Sequence, residues 1–136
     1  MKIDGQCHCG YIRYEAEIDP DTVAICNCTD CQTLSGSAFR TVVPSKRGSF
    51  MLLSGDLKIY VKTAESGKQR PQSFCPNCCT PIYSTSTEPD PKVHSIRVGT
   101  IRQRESLVPK LQYWHRSAQH WTNQIGALPV FEKQQI

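Results

Sequence analysis

Seven of the eight cysteines in this 136-residue chain fall into three tight clusters: Cys7-x-Cys9, Cys26-x-Cys28-x-x-Cys31 and Cys75-x-x-Cys78. No other feature constrains the fold as much, because sulfurs gathered from distant parts of a chain dictate which segments must be neighbours. Seven sulfurs are also more than one metal ion uses. A structural zinc is closed by four ligands, whereas a catalytic zinc keeps three protein ligands and leaves one position for water or substrate. The pattern therefore admits one saturated centre and one open centre.

A disulfide framework is the competing use of paired cysteines. The first six residues carry no apolar leader, and no stretch of the chain is long and apolar enough to span a bilayer. A cytoplasmic location is expected on that ground, with no membrane partner. Thiols stay reduced there, so clustered cysteines serve as metal ligands or catalytic groups. Hydrophobic residues make up 38% of the sequence and the mean hydropathy is negative, so the apolar core should be modest. Metal binding would supplement it, since binding free energy at a site formed on folding is folding free energy. No Gly/Ser-rich or Pro-rich linker divides the chain, which reads as a single domain over residues 1–136. The formal charge of +4 comes from 16 basic against 12 acidic residues. The basic residues are scattered rather than in blocks, which argues against a nucleic-acid partner and is compatible with an anionic small molecule.

Residues 11–18 alternate as a half-buried strand does, with Ile12, Tyr14, Ala16 and Ile18 on the inner face. Further short strands are expected at 22–25, 38–44, 49–53, 57–62, 72–74, 81–85 and 93–98, separated by turn sequences such as Ser54-Gly55-Asp56 and Ser66-Gly67-Lys68. Residues 33–37 read as a turn or short helix beside the metal. Only 117–125 has a longer helical look, with Trp121 and Ile125 four apart and Gly126 placed to stop it. The architecture is mainly β with a short C-terminal helix.

Cys75-Pro76-Asn77-Cys78 has the spacing of a zinc knuckle, and Cys7 and Cys9 fall on one face of an extended chain. These four thiolates would close a tetrahedral site, leaving Cys26, Cys28 and Cys31 around an open one. A zinc ribbon built from Cys28-x-x-Cys31 and Cys75-x-x-Cys78 is the alternative partition, and purely structural metal binding is the alternative use. An ion held by three thiolates activates water poorly but binds an incoming thiol as thiolate, a nucleophile able to attack an aldehyde.

Three ordered motifs carry a resemblance over nearly the whole chain. They are Gly5-Gln6-Cys7-His8-Cys9-Gly10 with Tyr14, then Cys26-Asn27-Cys28-Thr29-Asp30-Cys31-Gln32, and then Phe74-Cys75-Pro76-Asn77-Cys78-Cys79-Thr80-Pro81. With the closing segment from Arg116 through Trp121 to Leu128-Pro129-Val130-Phe131, the chain resembles the glutathione-dependent formaldehyde-activating enzymes and their relatives in the centromere protein V group. The resemblance implies an Mss4-like β-rich fold with two zinc ions per chain, the second site open to partial occupancy. It implies Cys7, Cys9, Cys75 and Cys78 as ligands of the structural zinc, and Cys26, Cys28 and Cys31 as ligands of the second zinc and as the catalytic residues. It is this likeness that chooses between the two partitions. The activity implied is that of a carbon–sulfur lyase acting on thiol–aldehyde adducts such as S-(hydroxymethyl)glutathione, with glutathione and an aldehyde as partners. A non-catalytic zinc-stabilised module that binds a protein is the alternative, since Mss4-like folds also serve that role. One departure stands out: where the family usually has glycine after the second cysteine of the third motif, this chain has Cys79, which would be strained if the turn needs a positive φ.

Of the other candidates, His8 should face away from the metal, while His94, His115 and His120 read as surface or packing residues. Trp114 and Trp121 are expected in the core or docking the helix. A ligand with two carboxylates needs cations, for which Arg40 and Lys46 are the nearest candidates, with Gln32, Ser35 and Ser37 as donors. Asp30 reads as a turn residue. No residue is assigned as general acid or base.

Overall fold

A computed structural model describes residues 1–135, and among them ten strands form two sheets, mainly β as expected. In chain order the strands are β1 (Lys2–Gln6), β2 (Arg13–Glu17), β3 (Ala24–Cys26), β4 (Arg40–Pro44), β5 (Met51–Ser54), β6 (Lys58–Thr63), β7 (Gln69–Phe74), β8 (Pro81–Ser84), β9 (Ser95–Arg97) and β10 (Leu111–Tyr113). The smaller sheet has the order β1-β2-β5 and the larger β10-β3-β4-β9-β8-β7-β6. Every pairing is antiparallel except β10 on β3. Isolated bridges from Gly5 to Ile101 and from Ile18 to Ser45 tie the smaller sheet to the rest. Among the described residues no helix is long and apolar enough to cross a membrane.

The alternation in residues 11–18 translates directly into packing. Ile12, Tyr14, Ala16 and Ile18 are all buried, and they join Ile3, Val23, Val43, Ile82, Ile96, Val98, Ile101 and Leu107 in the core between the sheets. Tyr14 stacks on Phe50 at 5.2 Å, and Phe50 stacks in turn on His94 at 4.4 Å. The Tyr14 hydroxyl donates to Thr100 Oγ1 at 2.6 Å, since the Thr100 proton is already given to the Arg97 carbonyl. Gly5 permits this arrangement: a Cβ there would collide with the Tyr14 ring and the Thr100 carbonyl.

The remaining strands lie close to their expected positions, with two instructive shifts. β7 begins at Gln69 and runs through Pro71, a residue that argues against an inner strand because it has no N–H to give the ladder. β10 is exposed along its length and has no alternation to mark it. The C-terminal helix is present over His120–Ala127, but as a 3-10 helix. With three residues per turn, positions i and i+4 sit about 120° apart, so Trp121 and Ile125 do not form one docking face. Both are exposed, and Trp114 is also largely exposed rather than in the core.

Candidate metal centres

Cys7 follows β1 and begins a tight turn in which its N–H donates to the Ile12 carbonyl and the Gly10 N–H donates back to the Cys7 carbonyl. Cys75 follows β7 and begins a second turn, closed by the Cys79 N–H on the Cys75 carbonyl at 2.9 Å and the Cys75 N–H on the Thr80 carbonyl at 3.0 Å. The two turns meet where the His8 N–H donates to Thr80 Oγ1. Four sulfurs converge there, from Cys7, Cys9, Cys75 and Cys78, all within 4.8 Å of one another. Cys78 therefore faces the cluster, and Cys79 is turned outward, exposed, at a φ of 63°. The strain anticipated at Cys79 is real, because a Cβ in the left-handed region meets its own backbone. The Thr80 hydroxyl, 3.1 Å from Cys78 Sγ, pulls that thiol down to about 5. His8 is exposed and lies in the turn that follows β1.

The second group is local. Cys26 ends β3, Cys28 caps the N-terminus of α1 (Thr29–Ser35), and Cys31 lies in its first turn, with the three sulfurs again within 4.8 Å. The helix starts inside the cysteine motif, earlier than the sequence indicates, and Gly36 in the left-handed conformation ends it. Asp30 is thus helical rather than a turn residue, and it pairs with Lys62 of β6 at 2.9 Å. Between the cysteines, Asn27 is buried and its side-chain amide donates to the Tyr113 carbonyl and to Gln112 Oε1, fastening the motif to β10. Sulfur–sulfur hydrogen bonding with Cys31 draws the Cys26 thiol down to about 5 and drives the Cys31 thiol up.

Both groups fit a metal ion. Four sulfurs at about 2.3 Å from a tetrahedral ion stand roughly 3.8 Å apart, and Cys7 to Cys9 is 3.6 Å while Cys9 to Cys75 is 3.8 Å. Backbone N–H groups donate to the sulfurs of Cys7, Cys28 and Cys75, the arrangement that steadies a thiolate ligand from behind. The two partitions weighed on sequence are separated by this geometry: Cys28 and Cys31 group with Cys26, not with Cys75 and Cys78.

The three cysteines open onto a cavity of about 290 Å³ whose other walls carry Arg40, Lys62, Arg70 and Arg97, with Tyr113 and Trp114 on one side. Of the two cations expected there, Arg40 is present and Lys46 is exposed elsewhere, outside the cavity lining. Among the described residues only Lys62 of the four has a carboxylate within salt-bridge distance. Arg40 and Arg97 are both buried and share one acceptor, Gln72 Oε1, at 3.4 and 2.7 Å. Burial and the neighbouring Arg40 charge lower the Arg97 guanidinium to about 9. Gln32 has a different role from the one expected: its amide donates to the Asn27 and Ser117 carbonyls, and its oxygen accepts from Gln119, bracing α1 against the C-terminal segment. Ser35 and Ser37 are exposed on the outer side of that helix end. Lys62, Arg70, Gln72 and Arg97 escaped the sequence reading. The available signal was strand periodicity, since Arg70 with Gln72 and Ser95 with Arg97 each share one strand face.

The model of the family "Glutathione-dependent formaldehyde-activating enzyme" matches residues 2–117, which include all three cysteine motifs. A crystal structure of a Rhodobacter sphaeroides protein superposes with a TM-score of 0.62 at 16% identity, covering 81% of this chain and 99% of that one. At that identity the likeness concerns the fold alone.

Proposed function

Because the chain belongs to the glutathione-dependent formaldehyde-activating enzyme family, we propose that it makes and breaks the bond between a thiol of the glutathione class and an aldehyde at Cys26, Cys28 and Cys31. The observation that carries this reading is the union of three convergent sulfurs with four cations in one cavity. Glutathione offers a thiol and two carboxylates, the complement of that wall.

All-thiolate donor sets suit zinc at both centres. The ion held by Cys26, Cys28 and Cys31 would supply an open position that stabilises an incoming thiol in its thiolate form. The protein's own groups do the rest. Arg40 and Arg70 neutralise the ligand's carboxylates, Gln72 holds two guanidinium groups in place, and Tyr113 with Trp114 shields one side of the cavity. The thiol loses its proton to solvent, its sulfur bonds to the carbonyl carbon, and the π pair moves to oxygen, which takes up a proton. In reverse the C–S bond breaks, which is carbon–sulfur lyase chemistry.

Metal analysis combined with a glutathione titration tests this. The expected result is two zinc ions per chain in the native protein, with glutathione binding. Cys28→Ser should keep one zinc, at the four-cysteine centre, and lose at least about a hundredfold in glutathione-dependent turnover, a removal of about 2.7 kcal/mol of transition-state stabilisation. Full turnover and two zinc ions in that variant would remove the mechanism. One zinc and no glutathione binding in the native protein would favour a non-catalytic binding module instead.

A further inference from the structure

Leu34, Arg40, Gln72 and Arg97 line the three-cysteine cavity, and they also line a second cavity of about 430 Å³. They form the wall the two spaces share. The rest of the second cavity is chemically different, dominated by Tyr60, Phe74, Pro81 and Tyr83. Formaldehyde carries no substituent on its carbonyl carbon and has nothing to place in such a space. An apolar cavity of roughly 150 Å³ already holds a benzene ring, so this one can take an aryl or branched alkyl group with room to spare.

The shared wall also carries charge. Arg97 lines both cavities, its Nη2 donating to Gln72 Oε1 at 2.7 Å. The oxygen of a thiol–aldehyde adduct, attached to the carbon between sulfur and substituent, belongs at that junction.

Building on the thiol–aldehyde reading above, we propose that the second cavity is the subsite for the aldehyde's substituent. The adduct handled is then that of an aldehyde with an aromatic or branched apolar group, its sulfur end at the three cysteines and its oxygen on Arg97. Burial of one such group corresponds to roughly ten- to a hundredfold in affinity.

The test compares two stable thioether probes, S-methylglutathione and S-benzylglutathione, titrated calorimetrically into the zinc-loaded protein beside glutathione itself. The expected result is that the benzyl probe binds at least about tenfold more tightly than the methyl probe. Tyr60→Ala should cut that ratio at least threefold; Tyr60 is 56% exposed and borders the second cavity without lining the first. If glutathione binds but the benzyl probe binds no more tightly than the methyl probe, or not at all, the subsite is overturned and the thiol–aldehyde reading stands. A preference that survives Tyr60→Ala unchanged overturns the assignment to this cavity. If glutathione and both probes all fail to bind, the thiol–aldehyde reading falls and the subsite falls with it.

Discussion

Cys79 and His94 show how single positions carry information that their neighbours do not. At φ 63° Cys79 sits where glycine is at ease, and its sulfur is outside the four-cysteine cluster. Replacing Cys79 by Gly should raise stability by about 1 kcal/mol in denaturant unfolding, with zinc content unchanged; loss of a zinc would instead make Cys79 a ligand. His94 is packed between Phe50 and Tyr83, at ring distances of 4.4 and 4.7 Å, and its Nδ1 has no partner among the described residues. Burial pushes its pKa below the usual histidine value, with the Asp90 charge opposing in part. The unfolded chain therefore binds the proton more readily than the folded one, so this contribution to stability is intact above about pH 6.5 and is lost as pH falls through the lowered folded pKa. His94→Phe keeps the ring contacts and removes the proton. Thermal unfolding of the two proteins should diverge as pH falls from 7 toward 5, with the wild type losing more; parallel curves would show that His94 is not the group responsible. The sequence marked Cys79 as anomalous because a motif position departed from glycine. It left His94 as a surface or packing residue, since the aromatic partners come from β8 and from the loop before β5.

At the level of strands and helices, the cysteine motifs were legible because their ligands lie within six residues of one another or in two short turns. The cations were not, because Arg40, Lys62, Arg70 and Arg97 come from β4, β6, β7 and β9, and only the strand order brings them to one wall. Periodicity tells which residues of a strand share a face, while neighbours across a seven-stranded sheet depend on pairings that spacing does not encode. Gln72 is the element-level hinge of this wall, holding guanidinium groups from two other strands. Gln72→Leu leaves both buried arginines short of an acceptor and should lower stability by about 1–3 kcal/mol. It should also weaken glutathione binding in the same titration. A variant as stable as wild type would show that water replaces the amide. The C-terminal helix illustrates the opposite failure: its i, i+4 apolar pair was read with α-helical periodicity, and the 3-10 geometry separates the two side chains.

Across the whole molecule, the mainly β fold was readable from alternating segments and turn residues, and an ion at the four-cysteine centre would supplement a modest core. That centre brings the end of β1 to the β7–β8 turn, so an ion held there would tie one sheet to the other as a clamp. A stepwise chelator titration should therefore have two phases. Metal leaves the three-cysteine centre first with the far-ultraviolet spectrum preserved, and loss of the second ion is accompanied by unfolding. Simultaneous loss of both ions without unfolding would mean that the clamp is dispensable. The parallel pairing of β10 on β3 has a consequence for how the protein is made. Asn27 is held by a carbonyl 86 positions later in the chain, whereas every sulfur of the four-cysteine centre has been synthesised by residue 78. During translation the clamp can be loaded while β10 is still inside the ribosome. The sulfurs of Cys26, Cys28 and Cys31 lack the Tyr113 wall of their cavity until that last strand emerges, so the vulnerable interval for this protein is a matter of elongation time.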